Sequence, residues 1–191
     1  MRYGSGMTRS VLAAALLASF PAFAAGLASR PADPWDDQPS LEGVYAAIGG
    51  GGVLLIFPGD NSFGYDLELR VGYSFNPMLQ VFLSGALDGG KFSGNTFRTE
   101  QIVAFVQYHL YVRPAVMVYG RAGLGVGLSG DVVPGRTAAG VAGAGGLGIE
   151  FRVAPNLFAA PEVFYRNTSL SAQGTDLQVQ TVGLQLNLVY Y

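Results

Sequence analysis

From Phe63 to Phe75 the chain alternates without a break. Phe63, Tyr65, Leu67, Leu69, Val71, Tyr73 and Phe75 fall on one side of an extended segment, and Gly64, Asp66, Glu68, Arg70, Gly72 and Ser74 on the other. A period of two belongs to strands, and no helix sorts residues in this way. A second run sets Ile102, Ala104, Val106, Tyr108, Leu110 and Val112 against Gln101, Val103, Phe105, Gln107, His109 and Tyr111. A third sets Val182, Leu184, Leu186, Leu188 and Tyr190 against Thr181, Gly183, Gln185 and Asn187. Alternation is weaker in the first, third and seventh runs of the chain. The fifth and sixth are so rich in glycine and alanine that the pattern does not set their register.

Prolines punctuate these runs. Asn76-Pro77, Arg113-Pro114 and Ala154-Pro155-Asn156 recur at an interval of roughly 40 residues, a structural period with no repeat of sequence. Each unit holds two extended runs joined by a connection expected to be looser, at 57–62, 88–97, 129–139 and 168–176. Two strands per unit make eight, and the fold expected is all-β: an eight-stranded, antiparallel, up-and-down β-barrel.

Alternation leaves open which face is inside. A soluble barrel turns its apolar face inward, and a membrane barrel turns it outward. Here the polar faces consist mostly of glycine, alanine, serine and isolated charges, which suits a narrow lumen and makes a poor coat against water. The runs, read as about 11 to 14 residues, suffice for a hydrocarbon layer that needs ~9 to 11 tilted residues. Tyr73, Phe75, Phe151 and Tyr190 gather near the proline turns, and Phe63 and Tyr165 near the opposite end, as interfacial aromatics do. The apolar faces are therefore expected to meet lipid.

Composition agrees and excludes several functions. The 191 residues are 50% hydrophobic and 13% charged, with 28 glycines. The formal charge of -2 gives no electrostatic footprint for nucleic acid. Cysteine is absent, which removes disulfides, thiolate metal sites and cysteine nucleophiles, and the single histidine, His109, removes multi-histidine metal centres. No metal or other cofactor is expected. Two glycine-rich stretches, 125–130 and 143–148, fit G-x-G-x-x-G, but neither opens a helix, so the dinucleotide-binding context is missing.

The N-terminus reads as an export signal. Arg2 and Arg9 precede an apolar stretch from Val11 to Phe20, and Ala22-Phe23-Ala24 supplies the small residues at a cleavage site. Expected boundaries are a signal peptide over 1–24, a flexible tail over 25–41 rich in proline and aspartate and carrying Trp35, the only tryptophan, and a barrel over 42–191.

The last run, with Gly183, Leu184, Leu186, Leu188 and Tyr190 followed by Tyr191, resembles the terminal strand of Gram-negative outer membrane proteins. Together with the leader, the hairpins and the proline turns, the chain is similar over 42–191 to the eight-stranded outer membrane barrels of the OmpA/OmpX type, without a peptidoglycan-binding domain. The resemblance implies that both termini and the turns at Pro77, Pro114 and Pro155 face the periplasm. It also implies that the terminal strand is read by the barrel assembly machinery, and that the surroundings are outer membrane lipids, including lipopolysaccharide. A monomer is expected.

With the apolar face outward, Glu68, Arg70, Arg121, Glu150, Arg152 and Glu162 all point into the lumen, between its lower end and its middle. Three carboxylates and three guanidiniums in so narrow a space are expected to pair and plug the barrel, since an unpaired buried charge costs several kcal/mol. The expected role is structural or surface-interacting. A narrow channel for small apolar molecules, of the OmpW type and lined by Phe82, Phe105 and Phe164, is the alternative. Lipid A enzymes built on similar barrels work with histidine and serine toward the outer leaflet. His109 instead lies near a proline turn, so it reads as lumen filling and no catalysis is expected.

Overall fold

The computed structural model describes residues 41–191 other than Ser93, Pro114, Pro134, Gly135 and Gln173. The leader over 1–24, Trp35 with nearly all of the tail, and the turn residue Pro114 lie outside the described residues. Eight strands follow one another: β1 (Gly43–Phe57), β2 (Asp60–Asn76), β3 (Leu79–Phe92), β4 (Asn95–Arg113), β5 (Val116–Val133), β6 (Arg136–Ala154), β7 (Leu157–Ala172) and β8 (Thr175–Tyr190). Each pairs antiparallel with the next, and β1 pairs with β8 to close the barrel. Leu41, assigned to the tail from sequence, is buried in the apolar cluster at the base of the lumen.

Alternation settles the inside and the outside as expected from β2, β4 and β8. Leu67, Leu124, Leu147, Leu184 and Leu186 are exposed on the exterior, Leu124 at 73%, while Glu68 inside is 1% exposed. An exterior of this kind needs lipid to cover it. The sequence pattern left the β5 and β6 register open. The ladder places Arg121 opposite Gly146 and Tyr119 opposite Gly148, so large inward side chains on β5 face glycines on β6.

The looser connections expected at 57–62, 88–97, 129–139 and 168–176 are instead mostly strand. Phe57 pairs with Asp60 around Pro58-Gly59, Phe92 pairs with Asn95, and Ala172 pairs with Thr175. Gly59, Gly94 and Gly174 take the positive φ these two-residue turns require (84°, 79° and 77°). The strands accordingly run 14 to 19 residues, from the upper end of the lengths expected to well beyond it. Their extra residues reverse the pattern. Arg98 and Glu100 on β4 and Ser169 on β7 face outward into water, whereas Phe97, Leu170 and Val179 turn inward. Past the lipid the wall follows the rule of a soluble barrel.

At the proline end, Asn76 Oδ1 accepts from the backbone N–H of Met78 (2.8 Å) and Leu79 (2.9 Å), which fixes the turn around Pro77. Register shifts occur beside three such turns, between Ser74 and Asn76, His109 and Tyr111, and Arg152 and Ala154. The shift on β4 turns Val112, expected outside, against the lumen cluster.

Pro161 stands in the middle of β7 and faces lipid. It stays in register with Leu186 of β8, but the β6–β7 ladder skips from Gly148–Glu162 to Phe151–Ala159. The missing N–H therefore lies on the β6 side, opposite Ile149, where proline removes a rung that no water can replace. Pro161→Val restores that donor. The variant is expected to gain about 1 kcal/mol of stability, read as a higher midpoint of urea unfolding in lipid vesicles.

Candidate functional site

The interior is stacked in layers along the axis. Toward the proline end, Tyr45, Met117, Phe158, Val189 and Tyr191 form an apolar base. Toward the other end, Val53, Leu55, Phe57, Phe97, Leu170 and Val179 form a second apolar layer. Between them lies a network of seven buried charges, each 5% exposed or less: Asp66, Glu68, Arg70, Asp88, Arg121, Glu162 and Arg166.

Glu68, inward on β2, is the hub. Arg121 of β5 grips it with both terminal nitrogens (2.8 and 3.0 Å), and Arg70 and Arg166 reach the same carboxylate at 2.9 and 3.1 Å. Ser84 and Gln185 also donate to it. Glu162 of β7 accepts from Arg70 at 2.9 Å, from Tyr119 Oη at 2.6 Å and from Arg121 Nε at 2.6 Å. Arg166 bridges Asp66 and Asp88 as well, the latter at 2.7 Å. The guanidiniums stack on rings: Arg121 over Phe105 at 4.5 Å and Arg166 over Phe164 at 4.1 Å. Phe105 in turn stacks on Phe82 at 4.9 Å. Gly146 makes room, because a Cβ there would lie 2.6 Å from Glu162 Oε1. The phenylalanines suggested as channel lining are thus filled against the charges.

Of the residues expected in one cluster, the structure brings together Glu68, Arg70, Arg121 and Glu162. Glu150 belongs to a separate group at the base. It accepts from Tyr191 Oη (2.8 Å) and Gln107 Nε2 (3.3 Å), and it lies 3.6 Å from His109 Nε2. Arg152 does not join the charges. It sits at the rim, where its Nε donates to the Pro155 carbonyl at 3.2 Å and water is within reach. Pro77 and Pro155 are exposed in their turns. On β8, Leu184, Leu186 and Leu188 face outward, Gly183 is inside, Tyr190 is half-buried, and Tyr191 is buried within the lumen. Sequence reasoning left Asp66, Asp88 and Arg166 out of the cluster. Asp66 and Arg166 share the inward parity of Glu68 and Glu162, and that was the available signal. Asp88 falls where the sequence pattern predicts a connection.

Every lone pair of Glu68 is engaged by these donors, so it is occupied in holding the strands rather than poised to take a proton from a substrate. His109 is wholly buried, edge-on to Tyr119 at 5.9 Å.

Glu68→Ala would remove the carboxylate that Arg70, Arg121 and Arg166 share, leaving Arg70 and Arg121 on Glu162 alone and Arg166 on Asp66 and Asp88, and is expected to cost about 3–5 kcal/mol, whereas Arg152→Ala at the rim is expected to cost less than about 1 kcal/mol. Both are read by urea unfolding of the folded barrel. Tyr191→Phe removes one donor to Glu150 and is expected to cost about 1–3 kcal/mol in the same measurement.

Comparison with known proteins places this architecture. A family model described as the outer membrane protein beta-barrel domain matches residues 10–191. Neisserial surface protein A has a similar structure, with a TM-score of 0.67 and 16% identity, covering 77% of this chain and 96% of that one. The attachment invasion locus protein Ail of Yersinia pestis aligns at 0.49 and 22% over 78% of this chain and all of the other. OprG of Pseudomonas aeruginosa aligns at 0.45 and 13%, over 81% and 98%. No curated protein sequence matches the chain. The belt of exterior leucines is then the lipid-facing surface in a Gram-negative outer membrane, and the chain belongs to the family of outer membrane β-barrel domains.

Proposed function

We propose that this protein is a monomeric, non-catalytic outer membrane barrel with a lumen closed by its own side chains, serving as a structural or surface-interacting element of the envelope. The single observation that carries the reading is the bonding of Glu68 to Arg70, Arg121 and Arg166, which ties β2, β5 and β7 together across the lumen. A bulk pore needs water where these groups meet. The apolar layers on either side support the same reading, because a dry constriction resists ions.

In this reading residues 1–24 direct export and are removed, the barrel assembly machinery receives the strand ending at Tyr190, and the proline turns face the periplasm. The opposite end then faces outward, with Lys91, Arg98 and Glu100 exposed on its wall beside the headgroups of lipopolysaccharide. Contacts with other cells or molecules would use this wall, since the hairpin turns there are tight.

Planar-bilayer recording of the single folded barrel tests the proposal. The expected trace has no large, steady conductance. A stable ohmic current from one barrel would overturn the closed lumen and favour a channel.

A further inference from the structure

The charge network is unbalanced: Asp66, Glu68, Asp88 and Glu162 outnumber Arg70, Arg121 and Arg166 by one. The surplus lies with the pair Asp66 and Asp88, which share the single guanidinium of Arg166. The second oxygen of Asp88 accepts from Gln101 Nε2 (3.0 Å) and Thr181 Oγ1 (3.2 Å). The second oxygen of Asp66 has no partner, and neither do Gln101 Oε1, Thr99 Oγ1 and Thr168 Oγ1, all on residues 3% exposed or less.

These oxygens belong to one region of the lumen. Asp66, Asp88 and Thr99 form a single cross-strand row on β2, β3 and β4. Gln101, two residues along β4, is bonded to Asp88. Thr168 approaches from β7: its Cγ2 would lie 2.2 Å from a Cβ at Gly127, the cross-strand partner of Gln101. Phe97, Phe164 and Leu170 belong to the apolar layer of the lumen toward the end away from the proline turns.

We propose that this cluster of unpartnered oxygens is a binding site for one hard monovalent cation, such as sodium, held by Asp66 Oδ2, Gln101 Oε1 and the hydroxyls of Thr99 and Thr168. Oxygen is the only ligand type present, which selects hard cations over transition metals. One positive charge matches the surplus, and two would exceed it. A neutral water satisfies the lone pairs but leaves a net charge buried, whereas a proton taken up by Asp66 would remove that charge without an ion and predicts equal stability in the two salts compared below at one pH.

The test is urea unfolding of the full folded barrel in sodium chloride against N-methylglucamine chloride at equal ionic strength. Sodium is expected to raise the midpoint progressively. At one hundred times the dissociation constant, the folding equilibrium constant shifts about 100-fold. The dependence should vanish in Asp66→Asn. It should also weaken in Thr168→Val, which keeps every charge and remains informative if Asp66→Asn does not fold. Crystals soaked in thallium(I) should show anomalous density beside Asp66 and Gln101. Equal midpoints in the two salts, or water alone at that position, would overturn the site, and neither result bears on whether the lumen conducts.

Discussion

A charge carried into a lumen eight strands wide, with lipid outside the wall, must find its counter-charge within that lumen, and this requirement organises the molecule. Removing an ion from water costs several kcal/mol even after relaxation. Glu68 meets the cost by taking donors from β2, β3, β5, β7 and β8. Because those donors come from opposite walls, satisfying one carboxylate also fixes the relative positions of the strands. The same bonds that make burial tolerable fill the passage. The proposed closure of the lumen and the integrity of the barrel would therefore have one physical origin.

The glycines follow from the same requirement. Arginine and tyrosine are large, and a lumen of this bore holds several at one level only if the facing wall contributes no side chain. On β6 the glycines at 146 and 148 face Arg121 and Tyr119, and a Cβ at Gly148 would lie 2.4 Å from the Tyr119 ring. Two glycines of the stretch that matches G-x-G-x-x-G without its helix thus make room for the network of charges and its tyrosine. Most of the glycines carry ordinary strand dihedrals; positive φ belongs to Gly43 and to the turn glycines.

How much of this was legible in the sequence depended on whether one rule held along a strand. Within the lipid span the rule is constant, so β2, β4 and β8 declare their faces, and with them the inward positions of Glu68 and Arg70; Arg121 on β5 and Glu162 on β7 stand on runs of weaker alternation and are buried in the lumen all the same. Parity placed Glu150 and Arg152 on the same face, but it carries no information about height. Glu150 is bonded at the base with Tyr191, and Arg152 is at the rim beside Pro155. Leu110, which enters β4 as an extra residue between His109 and Tyr111, shifted the parity beyond it, and no composition signal marks that bulge.

The far ends of the strands were misread for a different reason. Along β4 the outward residues change from Ile102 to Glu100 and Arg98 while the inward ones change from Gln101 to Phe97, and β8 makes the same exchange from Val182 to Gln180 outside and from Thr181 to Val179 inside. Near the crossing neither face is consistently apolar, and the stretch reads as a polar, glycine-rich loop. The crossing marks where lipid gives way to water. Under the closed lumen proposed above, two closures of different kind would act in series: a charged layer occupying the path with paired groups, and a dry apolar layer. Disrupting the ion pairs would weaken the fold while leaving Phe57, Phe97 and Leu170 across the outer passage. Stability and the proposed closure, which would share an origin in the membrane-embedded half, are then separable at the other end.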